Sequence, residues 1–124
     1  MGARINFVFD DGSDSLPVLY SHWGANSWKR DIAQAFNHAG ARWNDSSYWV
    51  RMVVSHLLKN ELMSATGFGI YAVNRSELSA ETFFDSVVLI DIPARTVEDW
   101  DSGESFQIEE SSGKFLDNFE VVTI

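Results

Sequence analysis

Hydrophobic residues recur along this chain at two spacings, and the change from one to the other marks the elements. Residues 4–9 alternate, with Ile5, Phe7 and Phe9 on one side, which predicts a strand. A polar cluster, Asp10-Asp11-Gly12-Ser13-Asp14-Ser15, follows as a turn, and residues 17–22 predict a returning strand whose Pro17 suits a first position or a sheet edge. The spacing then becomes helical. Trp28, Ile32, Ala35, Phe36 and Ala39 form one stripe over 28–39, with Asn26 or Ser27 to cap its start and Gly40 beyond its end. Val50, Val53, Val54, Leu57 and Leu58 form a second stripe, in a helix predicted from Ser46 to Met63. Tyr48, Arg51, Ser55 and Lys59 occupy its other side.

Strand character resumes at 66–73, where Gly67 and Gly69 allow close approach of backbone or ligand. A short helical turn is expected within 76–85, with Phe83 and Phe84 docking inward. Residues 87–92, apolar except for Asp91 and ended by Pro93, read as a central strand, and 95–100, 105–109 and 119–124 are further strand candidates. The order is ββααβ(α)β and then strands. That order predicts an α+β fold, two helices packed on one face of a mostly antiparallel sheet. With 124 residues and neither repeat nor linker, residues 1–124 are read as a single domain.

Composition narrows the chemistry. The chain contains no cysteine, which excludes disulfides, thiolate metal sites and cysteine nucleophiles. No signal peptide and no apolar run of membrane-spanning length is found, so a cytoplasmic protein without membrane contact is expected. The net charge of −9 is unevenly placed: residues 1–76 carry seven Lys/Arg against six Asp/Glu, and residues 77–124 carry two against twelve. Such a surface repels phosphate backbones, which argues against direct nucleic-acid binding. It suits a basic protein surface instead, and Glu98, Asp99, Asp101, Glu104, Glu109 and Glu110 are the candidate contacts.

The motifs that carry catalysis are absent. His22, His38 and His56 lack metal-ligand spacing, and Asp10, Gly12 and Asp14 lack the terminal glutamate of a calcium loop, so no metal is expected. There is no nucleophile elbow and no phosphate-binding loop, and Thr66-Gly67-Phe68-Gly69 is too short for a dinucleotide fingerprint. Ser21 and His22 are adjacent on a strand and point to opposite faces. No catalytic residue and no cofactor are assigned; a nucleotide or nucleic-acid hydrolase is the third class behind two binding functions.

One group of residues has the chemistry of a binding site. Tyr20, His22 and Trp23 end the second strand, Arg42 and Trp43 precede the second helix, Tyr48 and Arg51 lie in its first turns, and Thr66 and Gly67 open the next strand. Aromatic faces for stacking, guanidinium forks and a helix N-terminus together suit an anionic, ring-bearing molecule. The same tryptophans serve equally as core anchors.

The strings Leu19-Tyr20-Ser21-His22-Trp23-Gly24, Arg42-Trp43-Asn44-Asp45-Ser46-Ser47-Tyr48 with Arg51, and Thr66-Gly67-Phe68-Gly69-Ile70 resemble a family of small accessory proteins of tailed phages and prophages. The resemblance covers about residues 16–73, and 87–97 more loosely. It brings no assigned activity and so no residue roles. It implies a host-cell cytoplasmic protein that inhibits a host factor, one from an antiviral defence system with a basic, nucleic-acid-facing surface. The alternative is a protein that sequesters a nucleotide-like ligand in the aromatic and arginine cluster. Homo-oligomerisation is compatible with both.

Overall fold

The computed structural model describes residues 4–22, 27–40, 45–79, 82–83, 85–109 and 114–115. The fold class is α+β, with two helices and a mostly antiparallel sheet. The strands are β1 (Ile5–Asp10), β2 (Ser15–Ser21), β3 (Phe68–Asn74), β4 (Ser86–Asp91), β5 (Thr96–Asp99), β6 (Ser105–Glu109) and a two-residue β7 (Lys114–Phe115). The helices are α1 (Trp28–Ala39) and α2 (Ser46–Leu57), and a 3₁₀ turn covers Arg75–Glu77. The strand order is β3-β2-β1-β4-β5-β6-β7. All neighbours are antiparallel except β1 and β4, which run parallel, Ile5 beside Ser86 through Asp10 beside Asp91.

That parallel pair follows from the connections. Chain leaving β3 at one edge crosses two strands to reach β4, carrying the 3₁₀ turn, Leu78 and Phe83 over one face of the sheet. Leu78, Phe83 and Trp100 pack there on Val8, Leu16, Val18, Val73, Val87 and Leu89. The other face carries the larger core. Ile5, Phe7, Phe9, Leu19, Val88, Ile90 and Val97 meet Ile32, Ala35, Phe36 and Ala39 of α1 and Trp49 and Val53 of α2. Period two in the strands therefore feeds two cores, one on each face.

Several predicted details change. Pro17 is neither first in its strand nor on an edge: it lies third in β2, between β1 and β3. It is accommodated because the β1–β2 ladder stops at Val8–Val18, so no partner there requires its missing N–H. Helix α2 ends at Leu57, not at Met63, and a run of turns follows, Glu61 N–H to the Leu58 carbonyl and Ser64 N–H to the Glu61 carbonyl. Past Leu58 the chain has no face to bury; Leu62 is 65% and Met63 95% exposed. The buried line of α2 is also rotated by one residue. Trp49 and Val53 take the deepest positions, and Val50 and Val54 are half-buried beside them. Of the inward-docking pair, Phe83 is buried, whereas Phe84 and the strand candidate 119–124 lie outside the described residues.

Among the described residues, no helix is long and apolar enough to cross a membrane.

Candidate functional site

The predicted aromatic and arginine cluster is divided by the sheet. Tyr20 shares the parity of Leu16 and Val18, whose side chains pack on the crossover face. Its hydroxyl lies 3.0 Å from Nδ1 of His22, an i, i+2 pair on one strand side. Nearby on the same face, the Tyr71 hydroxyl donates to Oδ1 of Asn6 at 2.7 Å, and burial, with a smaller contribution from Asp85, raises the Tyr71 pKa and keeps it a donor. Tyr48 and Arg51 belong to α2, on the opposite face, and both are exposed. Thr66 is exposed and Gly67 half-buried at the mouth of β3, where the His22 N–H donates to the Gly67 carbonyl at 2.8 Å. Trp23, Arg42 and Trp43 lie outside the described residues. Tyr20 and Arg51 therefore do not share a cavity, which corrects the expectation of one pocket built from both.

Arg51 instead stands at a groove that the sequence did not single out. Phe9, Pro17, Leu19 and Ile70 line it from the sheet, Val50 and Val54 from α2, and its volume is about 350 Å³. Ser46, Ser47 and Arg51 supply polar groups at the start of α2, and Asp11 faces them from the β1–β2 turn. The groove exists because Val50 and Val54 stop short of full burial and because Ile70, on β3, is left 67% exposed. Both valines read as core in the helical stripe; only the one-residue rotation of α2 turns them outward.

A second, polar recess lies between the first half of α1 and the end of α2. Asp31, Gln34, His56, Leu57, Lys59, Asn60 and Glu61 enclose about 280 Å³. The His56 ring lies 5.2 Å from that of His38, and burial, followed by Lys59 and His38, lowers the His56 pKa against a small opposing pull from Asp31. Among the described residues no three His, Cys, Asp or Glu side chains are placed to hold a metal ion.

Of the six acidic candidates, Glu98, Asp99, Asp101 and Glu104 fall on one hairpin. Asp99 ends β5, and its N–H donates to the Glu104 carbonyl at 2.9 Å across a turn completed by Gly103 N–H to the Asp99 carbonyl at 2.8 Å. Asp101 and Glu104 are exposed, and Glu98 and Asp99 are half-buried. Lys29 of α1 reaches Glu104 at 3.9 Å while its ammonium lies 5.0 Å from the Phe106 ring centre. Glu109 belongs to β6 by its backbone, and Glu110 lies outside the described residues.

No protein-family model, no curated protein and no solved structure matches this chain.

Proposed function

We propose that this chain is a non-enzymatic binding protein that covers a basic surface of a protein partner with the carboxylates of the β5–β6 hairpin. The observation that carries this reading is the concentration of carboxylates on one hairpin: Asp101 and Glu104 are exposed at its turn, Glu98 and Asp99 flank them on opposite faces of β5, and the ion pair they make among the described residues is Lys29–Glu104, at the long distance of 3.9 Å. Such a patch raises the rate of encounter with a cationic surface more than it tightens the final complex. The resemblance to tailed-phage accessory proteins points to a host protein as the partner, and a basic surface that otherwise meets nucleic acid is the kind this hairpin would occlude. The double variant Asp101→Lys, Glu104→Lys is expected to associate about tenfold more slowly with a partner captured from host lysate, and the wild-type rate should fall steeply with added salt. A rate indifferent to salt and to charge reversal would rule the reading out.

The α2 groove favours a second reading, a small-ligand binder. Its apolar floor and its Arg51 and Ser46/Ser47 rim suit an amphiphile with an anionic head, and 350 Å³ lies at the small end of ligand pockets. Decanoate and adenosine monophosphate, tested separately by thermal shift, distinguish an aliphatic from a ring-bearing occupant. A ligand at a hundredfold excess over its Kd should stabilise the fold by about 2.7 kcal/mol. No shift with either ligand, or a shift that persists undiminished in Val54→Glu, would remove this reading.

A further inference from the structure

Strand β3 forms one edge of the sheet of described residues, and it is built to pair. In the strand order β3 is outermost, and among the described residues no strand lies beyond it. Which of its backbone groups face outward follows from two hydrogen bonds at its ends. The His22 N–H donates to the Gly67 carbonyl, and the Arg75 N–H donates to the Asp14 carbonyl at 2.7 Å, so residues 67 and 75 turn toward β2. In an antiparallel ladder the pattern alternates. Gly69, Tyr71 and Val73 therefore also face β2, and Phe68, Ile70, Ala72 and Asn74 present N–H and C=O groups to the outside.

Edge strands are ordinarily protected by charged side chains, a proline, a bulge or extreme shortness. Strand β3, Phe-Gly-Ile-Tyr-Ala-Val-Asn, has seven residues with no charge and no proline. It exposes Ile70 by 67% and Tyr71 by 40%.

We propose that β3 pairs antiparallel with β3 of a second copy of this chain, about a two-fold axis beside Tyr71. Three features select this occupant and register. With Tyr71 opposite Tyr71 of the second copy, all four outward-facing residues find partners within the strand: Ile70 opposite Ala72, and Phe68 opposite Asn74. Size is complementary in the same register, since Ile70 meets Ala72 and Val73 meets Gly69. Charge selects the direction. At the Asn74 end Arg75 is balanced by Asp10, and the exposed carboxylates of Asp11, Asp14 and Glu77 remain in excess, whereas the loop before Phe68 carries Lys59 and Glu61, which balance. Antiparallel pairing sets the acidic end of one copy against the balanced end of the other; parallel pairing would stack the two acidic ends.

The carboxylates of the acidic hairpin do not oppose this contact. The acidic hairpin lies on β5 and β6, four strand spacings from β3, or about 19 Å. That exceeds a Debye length of about 8 Å at physiological ionic strength. The dimer is one continuous sheet with an acidic hairpin toward each outer end, and it stands independently of what those hairpins bind.

Sedimentation velocity over a wide concentration range tests it, and wild-type protein should convert from monomer to dimer. Ala72→Pro removes an N–H that faces outward and none that bonds β2, so it should give a monomer with an unchanged far-ultraviolet spectrum. Ile70→Lys, at an exposed position, should do the same and guards against a proline-specific effect. The absence of cysteine adds a direct readout of register. Tyr71 opposite Tyr71 is a non-hydrogen-bonded pair, whose Cα separation of about 4.5 Å is within disulfide range. Oxidised Tyr71→Cys should run as a covalent dimer and Ile70→Cys, displaced from the axis, as a monomer. A wild type that remains monomeric throughout, or a dimer that persists in Ala72→Pro, would overturn the proposal. Crosslinking of Ile70→Cys in preference to Tyr71→Cys would overturn the register.

Discussion

Replacing Trp49 with alanine is expected to lower the unfolding free energy by about 3–5 kcal/mol, while the same change at Tyr48, its neighbour in sequence, should cost less than about 0.5 kcal/mol. The contrast comes from helix geometry. Trp49 is fully buried, packs on Phe36 at a ring separation of 4.8 Å and joins α2 to α1 and the sheet. Tyr48, turned about 100° away, is 53% exposed. A domain of this size is stable by about 5–15 kcal/mol, so the Trp49 variant should be near its unfolding limit, and Phe36→Ala should behave similarly. Urea denaturation of both single variants supplies the comparison. Equal small losses would mean that α2 does not pack through Trp49.

This contrast also shows where sequence reading succeeds and where it stops. The stripe from Trp28 to Ala39 predicted α1 with both ends correct, because every stripe residue had a full helix of apolar spacing behind it and Gly40, at φ 61°, ends it. In α2 the apolar positions are too many: Trp49, Val50, Val53, Val54, Leu57 and Leu58 define a face wider than the core can cover, so spacing alone does not say which edge of it is buried. The structure buries the Trp49–Val53 edge and leaves Val50 and Val54 to form the groove. Sheet partners were less legible still. Ile5, Phe7 and Phe9 announced one buried face, but Val8 between them is equally buried, since the β3–β4 crossover covers the second face. The division of Tyr20 from Arg51 follows from parity on β2, but which face α2 covers is settled by packing and not by proximity in sequence. By contrast, the collection of acidic residues on one hairpin was visible as a run from Glu98 to Glu104 and required no tertiary information.

Asp10, which the sequence reading placed in a turn, makes a contact that should govern the acid stability of the sheet. Asp10 ends β1 and is 8% exposed, and Arg75, 65 positions later, closes on it with Nη2 at 2.5 Å and Nη1 at 3.1 Å. The same guanidinium donates to the Ser13 carbonyl through Nε at 3.1 Å and Nη2 at 2.9 Å. Arg75 thus ties the β1–β2 turn to the start of the crossover. The Arg75 side chain is 40% exposed and itself covers the carboxylate, so deleting either partner leaves a charge that water can reach. Asp10→Asn is accordingly expected to cost about 1–2 kcal/mol. The hydrogen bonds from Arg75 are the chief cause that holds the Asp10 pKa below 3.8; burial pushes the other way, and the Gly12 N–H and the Arg75 charge add to the lowering. A carboxyl group with a depressed pKa in the fold contributes its stability in full above the unfolded value, and loses it as pH falls through the folded one. The contribution should therefore be constant from neutral pH down to about pH 5 and should vanish between there and the acid side of 3.8. Unfolding free energies measured across that range should show wild type converging on Asp10→Asn as the pH drops. If the two curves stay parallel, the Asp10–Arg75 pair does not hold the β1–β2 turn to the crossover.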